Sequence, residues 1–216
     1  SGDGNTLAPE ANTLLGGMEL LAGDAGVSAI LGNDDDTSVA LDLGAAVITV
    51  AGQNFTGDNQ VYISSNGLIS FGAAYAQGAN SNLEAGTEPA FLLAALWDDW
   101  VTNRDAQDQV LVKLTDDNGD GTQDHLQVQW DVHHYSAGNN LVSFQVEIAN
   151  GQVKYHYFNL DTGDAGTANG VSATLGLKVP GATELLSHNS LVSGWGTLRW
   201  AAGAGDDVLD GGSGND

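Results

Sequence analysis

The sequence predicts an all-β protein, an antiparallel two-sheet β-sandwich with calcium-binding loops. Three observations lead there. Short apolar runs separated by turn signals recur from Thr37 onward, the arithmetic of strands rather than helices. Several runs alternate with period two: in Leu126-Gln127-Val128-Gln129-Trp130-Asp131-Val132 the apolar side chains share one face, and Val142 to Ile148 repeats the pattern. Finally, 42% of residues are hydrophobic while only 15% are charged, so polarity comes from Gly, Asn, Ser, Thr and Gln, a mix suited to strands and tight turns.

Residues 1–26 read as a linker or N-terminal cover segment. Ala11 to Leu21 has some helical character, which Gly16-Gly17 weakens by about 1 kcal/mol each. Residues 27–201 form the sandwich, with strand runs at 39–43, 46–50, 61–63, 68–71, 91–97, 110–114, 126–132, 142–148, 153–158, 171–179 and 197–200. Asn66-Gly67 reads as a type I′ turn with φ > 0 at both residues, and Asn150-Gly151 closes a hairpin between Val142–Ile148 and Val153–Phe158. Phe91 to Trp97 is apolar throughout, as a strand buried on both faces would be, with a buried helix as its competitor. Prolines are only three, which suits a sandwich of many paired strands.

The 5 basic and 28 acidic side chains of the 216-residue chain leave 5 − 28 = −23 at pH 7. Such a charge repels phosphate backbones and anionic lipid, so neither nucleic acid nor direct membrane insertion is expected, and it argues for a monomeric module. All five cations (Arg104, Lys113, Lys154, Lys178, Arg199) lie after residue 100. No cysteine is present, so a divalent cation held by oxygens is the obvious substitute staple. No apolar run reaches the roughly 20 residues that span a bilayer, and Ser1-Gly2-Asp3-Gly4-Asn5 does not read as a signal peptide; the chain looks like a piece of something longer.

The most specific local motif is D-x-N-x-D-G-x-x-D at Asp116 to Asp124. Ca²⁺ takes six to eight oxygens, and oxygen-bearing residues at alternate positions converge when the backbone wraps an ion. Asp116, Asn118, Asp120 and Asp124 are the side-chain candidates, a carbonyl near Thr122 the backbone one, and Gly121 the sharp turn. The loop lacks the glutamate of an EF-hand; a solvated acidic turn is the alternative reading. A second acidic set, Asp98 and Asp99 with Asp34, Asp35 or Asp36, is a candidate second calcium site.

Two resemblances add context. Residues 202–216, with Gly205-Asp206-Asp207-Val208-Leu209-Asp210 followed by Gly211-Gly212-Ser213-Gly214-Asn215-Asp216, resemble the calcium-binding nonapeptide repeats of RTX proteins. That resemblance implies the start of a β-roll, with Asp207 and Asp216 as calcium ligands, and export by type I secretion from a Gram-negative bacterium. In the body, Val61-Tyr62-Ile63-Ser64-Ser65-Asn66-Gly67-Leu68-Ile69-Ser70-Phe71-Gly72 resembles the SSNG hairpin of nidogen-like (NIDO-type) extracellular β-sandwich domains. Leu93 to Asp99, Leu126 to Val132, Val142 to Ile148, Gly151 to Asn159 and Ala173 to Leu177 resemble further segments of that family in the same order. The aromatic stretch usual before the SSNG hairpin is replaced here by Leu43 to Val50. The family implies adhesive rather than catalytic work.

No catalytic set emerges from the residues. The histidines are His125, His133, His134, His156 and His188, none in zinc-ligand spacing, and no nucleophile elbow, P-loop or dinucleotide fingerprint is present. Taken with this, the RTX and NIDO-type resemblances imply a non-enzymatic, calcium-dependent adhesion module of an RTX adhesin at the bacterial cell surface, binding peptide termini or glycans of a host or neighbouring cell. Trp100, His133, His134 and Tyr135 are its candidate ligand-binding residues, with His133-His134-Tyr135 placed in a loop, and Tyr75 and Trp195 as further aromatics. An accessory or catalytic part of a secreted RTX hydrolase and a calcium-stabilised spacer are the alternatives.

Overall fold

The computed structural model describes residues 8–9, 19–84, 86, 88–192 and 197–201. Its strands are, in chain order, β1 (Ala8–Pro9), β2 (Val27–Leu31), β3 (Ser38–Leu41), β4 (Ile48–Val50), β5 (Gln53–Phe55) and β6 (Val61–Ser64). They continue with β7 (Leu68–Phe71), β8 (Leu92–Trp97), β9 (Trp100–Val101), β10 (Gln109–Thr115) and β11 (His125–His134). The last are β12 (Val142–Ala149), β13 (Gln152–Asn159), β14 (Thr174–Val179), β15 (Ala182–His188) and β16 (Thr197–Ala201). One sheet runs β1-β16-β13-β12-β11-β10-β2 with β9 paired to the end of β11; the other runs β15-β14-β8-β7-β6-β3. Every strand pairing within these two sheets is antiparallel, β4 and β5 pair separately, and the two large sheets form a sandwich.

Period-two alternation does its work in β11. Leu126, Val128, Trp130 and Val132 are fully buried against the six-stranded sheet, with Val142, Phe144, Val146 and Ile148 of β12 beside them. The polar tips of the core aromatics bridge the layers: Trp130 Nε1–H donates to Ser64 O at 2.8 Å, Tyr155 to Gly176 O at 2.9 Å and Tyr157 to Ala95 O at 2.6 Å. Each thereby keeps its hydrogen bond while burying a ring that contributes about 2–3 kcal/mol. Burial raises the pKa of both tyrosines.

The opposite face of the large sheet is polar yet covered. Gln129, Asp131, Ser143 and Gln145 are buried there, and Leu20 lies over them, its N–H donating to Gln129 Oε1 at 2.6 Å and its carbonyl accepting from Gln129 Nε2 at 3.0 Å. The end of the expected cover segment therefore packs onto the sandwich. Residues 1–7 and 10–18, including most of the helical stretch, lie outside the described residues.

β8 is buried on both faces, as its apolar run implies. Leu93 and Ala95 enter the main core, while Leu92, Ala94 and Trp97 join Leu68 and Leu83 in a second cluster outside the sheet, closed by Tyr75.

The two hairpins differ. Asn150 (φ 52°) and Gly151 (φ 73°) form the expected two-residue turn between Ala149 and Gln152. The Asn66-Gly67 turn does not: Ser64 pairs with Leu68, so three residues close the loop, and of these only Gly67 (φ 74°) has positive φ. Asn66 keeps an ordinary backbone because its side chain is fully buried and makes three hydrogen bonds, described below.

Candidate functional site

Strand direction sorts the candidate residues to two ends. β11 ends with His133 and His134, paired with Val101 and Trp100 of β9, and Asp35 bridges to Val101. β10 starts at the same end, Gln109 pairing with Asp131. The 32–37 loop, the 98–99 turn, the 102–108 loop and the 135–141 loop therefore gather there. Asp116–Asp124 joins β10 to β11 at the other end; ten residues of β11 at a rise of about 3.3 Å put the two roughly 30 Å apart. The two expected calcium sites are separate.

At the first end, carboxylate oxygens of Asp35, Asp36 and Asp99 all lie within 4.8 Å of one another. The fold holds them together through Asn66. Its Nδ2 donates to Asp36 Oδ1 at 2.7 Å and to Ala76 O at 3.2 Å, and its Oδ1 accepts from the N–H of Trp100 at 2.9 Å. One buried amide thus fixes the 32–37 loop, the 73–91 segment and the start of β9. Gly78 forms part of the wall, since a Cβ there would stand 2.7 Å from Asp36 Oδ1 and 3.0 Å from Asp99 Oδ1. Three carboxylates this close repel: Asp99 has its pKa raised by burial and then by Asp36 and Asp35, with His134 acting the other way, and Asp35 is raised by burial and by Asp36. A divalent cation is the group that such a set of oxygens suits.

The other expected members of this site are used elsewhere. Asp34 accepts N–H bonds from Gly32 and Asn33 within its own loop. Asp98 accepts from Ser172 Oγ and lies 3.4 Å from His134 Nε2. The expected ligand-binding residues are corrected in part. His133 and His134 are not in a loop but end β11, both buried, because the strand runs two residues past Val132, where its alternation ends, and pairs with β9. Trp100 is 1% exposed, its Nε1–H donating to Leu96 O at 2.7 Å, so its ring is core and offers no stacking surface. Tyr135 alone of the four is exposed, at 56%, and its N–H donates to Asp99 O at 2.8 Å, beside the carboxylate group. Tyr75 is half-buried against Trp97, 5.8 Å between ring centroids; Trp195 lies outside the described residues.

The Asp116–Asp124 loop is wound by its own side chains. Asp116 accepts from the N–H groups of Gly119 (2.7 Å) and Gly121 (2.8 Å), Asn118 from Asp120 (2.8 Å) and Asp120 from Thr122 (2.8 Å). Asn118 Nδ2 donates to Asp124 Oδ2 at 2.9 Å. Gly121 sits at φ 91°, the sharp turn anticipated for the position after the third ligand. Among the described residues, Asp116, Asp120 and Asp124 are not one of the groups whose carboxylates meet within 4.8 Å. Asp207 and Asp216 lie outside the described residues, as does the whole 202–216 segment.

Sequence reasoning missed Asn66 as a hub, Gly78 as a wall, and Asp105 and Asp108, which meet His133. For Asn66 the turn-like Ser64-Ser65-Asn66-Gly67 composition hid the role, and only the structure shows that every residue from Ser64 to Phe71 is buried.

A family model described as NIDO related matches residues 18–197. No curated protein and no solved structure shows a significant match to the chain.

Proposed function

Since the chain belongs to the NIDO-related family, an extracellular class of module, we propose that it is a calcium-dependent ligand-binding module of a large, type I-secreted bacterial RTX adhesin, displayed at the cell surface. The supporting observation is the meeting of Asp35, Asp36 and Asp99 at one loop-bearing end, next to the exposed Tyr135. A Ca²⁺ held by these oxygens has an incomplete protein shell. It accepts further oxygens from a ligand, either a peptide C-terminal carboxylate or vicinal sugar hydroxyls, and Tyr135 supplies stacking surface. On a surface as acidic as this one the ion is the local positive centre. The Asp116–Asp124 loop, at the far end, holds a second, structural Ca²⁺. The work is adhesive, and no residue is assigned a catalytic role.

Thermal unfolding with and without millimolar Ca²⁺ tests this on the native chain, on Asp120→Ala and on Asp99→Asn. Calcium is expected to raise Tm in the native chain, and each variant to lose part of the rise. Asp99→Asn has a second signature: without metal it removes one of three crowded charges, so its Tm at pH 7 should lie slightly above that of the native chain, and with calcium below it. Equal Tm values with and without calcium would sink the proposal. Given the shift, peptide and glycan arrays read in calcium, and repeated with Asp99→Asn, identify the ligand class.

A further inference from the structure

The five histidines stand in no zinc-ligand spacing along the chain, yet the fold builds around one of them a set of donors unlike the all-oxygen groups above. His133 is buried at the end of β11, its side chain 6% exposed. Nδ1 lies 2.6 Å from Oδ1 of Asp108, whose side chain is fully buried. The other oxygen of Asp108 is committed to the backbone, accepting the N–H of Arg104 at 2.7 Å and of Asp105 at 3.1 Å. Asp108 therefore accepts the Nδ1–H of His133 and fixes the ring, turning Nε2 toward the 102–108 and 135–141 loops.

Nε2 then faces only oxygens. The carbonyl of Asn139 is 3.3 Å away and Oδ2 of Asp105 is 4.0 Å away. Nε2 meets the Asn139 carbonyl at hydrogen-bond distance, so the three atoms are joined either by a ring proton donated to that carbonyl or, with a neutral imidazole, by a cation among them. The spacing accommodates the second. Ligands about 2.1 Å from a tetrahedral ion stand roughly 3.4 Å from one another, which is the Nε2 to Asn139 O separation, and Asp105, 47% exposed on its loop, needs only a small movement to close its own edge. The arrangement of carboxylate, histidine and open nitrogen is the one in which an outer carboxylate orients an imidazole toward a metal. Imidazole suits zinc-class ions and not calcium. Arg104 stands on the same loops, its guanidinium donating to the carbonyls of Gly138 at 2.7 Å and Tyr135 at 2.5 Å, so it braces the 135–141 loop on which Asn139 lies.

We infer that Nε2 of His133, Oδ2 of Asp105 and the carbonyl of Asn139 bind a zinc-class divalent transition metal, with Asp108 as the positioning residue and solvent completing the shell. This site is independent of the calcium reading and stands at the same end of the sandwich.

The test is Zn²⁺ titration by calorimetry of the whole 216-residue chain in saturating Ca²⁺, followed by the ¹⁵N shifts of the imidazole nitrogens. One Zn²⁺ per chain is expected, with the Nε2 resonance of His133 moving on binding and Nδ1 remaining protonated. Asp105→Asn, a change at a half-exposed side chain that leaves Asp108 and His133 in place, should weaken binding at least tenfold without lowering the metal-free Tm. Zinc uptake that leaves the His133 resonances unmoved, equal affinity in Asp105→Asn, or a His133 doubly protonated at pH 7.5 with no uptake would each overturn the inference; the last would make the group an ion triad of purely structural use.

Discussion

Replacing Gly67 by alanine should be the most damaging single methyl addition in the SSNG hairpin, lowering stability by about 4 kcal/mol. Two costs add. Gly67 has φ 74°, a left-handed conformation that costs a residue with a Cβ about 1 kcal/mol. The new Cβ would also stand 2.4 Å from the carbonyl oxygen of Leu96, 3.0 Å from its carbon and 3.1 Å from Phe144 Cζ. The obstacle is the backbone of β8, which is buried on both faces and cannot yield, and the Gly67 carbonyl is itself tied to Ala95 N–H at 3.2 Å. A loop that moves away carries Asn66 with it and breaks the bonds to Asp36 and Trp100. Gly52→Ala isolates the first cost, since Gly52 has φ 72° with nothing within 4 Å of a Cβ, and should lose only about 1 kcal/mol. At about 2–4 °C per kcal/mol for a chain of this size, Gly67→Ala is expected to melt roughly 8–16 °C lower. Equal shifts in the two variants would show that the contact with Leu96 is not restrictive.

The hairpin also illustrates how much was legible in the sequence. The strand runs recovered the core of both sheets, because buried positions in β8, β10, β11, β12 and β13 carry period-two or continuous apolar patterns that only pairing explains. β15 was missed: Ala182–His188 is an edge strand with intermediate burial along most of its length, so selection for alternation is weak. β2 and β9 were missed as strands for similar reasons, the first at the other sheet's edge with polar Ser28 outward, the second only two residues long. The acidic cluster was partly legible. Two aspartate runs could be seen to lie before or after strands, but which members meet depends on register. Asp35 bridges to Val101 while Asp34 curls back on Gly32 and Asn33, and no periodicity predicts that. The His133 group was invisible for the same reason, its members drawn from two loops and a strand end that only pairing of β10, β11 and β9 brings together.

Glu147→Gln should cost about 3 kcal/mol near pH 6, and distinctly less above pH 8. Glu147 lies between two imidazoles on the covered face of the large sheet: His156 Nε2 at 2.6 Å from Oε2 and His125 Nε2 at 3.2 Å from Oε1, with Lys154 its register partner across the hairpin. Although burial pushes the carboxyl up, the hydrogen bonds from His125 and His156 and their charges prevail and hold its pKa far below the usual carboxylate range. His125 is raised, first by its bond to Glu147 and further by Asp117 and the charge of Glu147, against the opposing effect of burial. The signs follow. The depressed Glu147 contributes stability that is present above the unfolded value of about 4.3 and lost only in strong acid. The raised His125 contributes stability that is complete below about 6.5 and lost as pH rises through its folded value. Both are therefore intact between roughly pH 4.5 and 6.5, and removing the carboxylate there takes from His125 and the buried His156 the acceptor they share, a loss of the size seen when one member of a buried pair is deleted. The large negative charge of the chain also favours mild acid, so the quantity to measure is the native-minus-variant difference in urea stability at pH 5.5 and pH 8.5. It should be larger at pH 5.5. A constant difference would mean that Glu147 contributes packing and hydrogen bonds but no charge coupling. Because His125 also binds Asp117 at 2.6 Å, the same chain of contacts runs from the middle of the sheet into the Asp116–Asp124 loop. His125 thus links the conformation of that loop to Glu147.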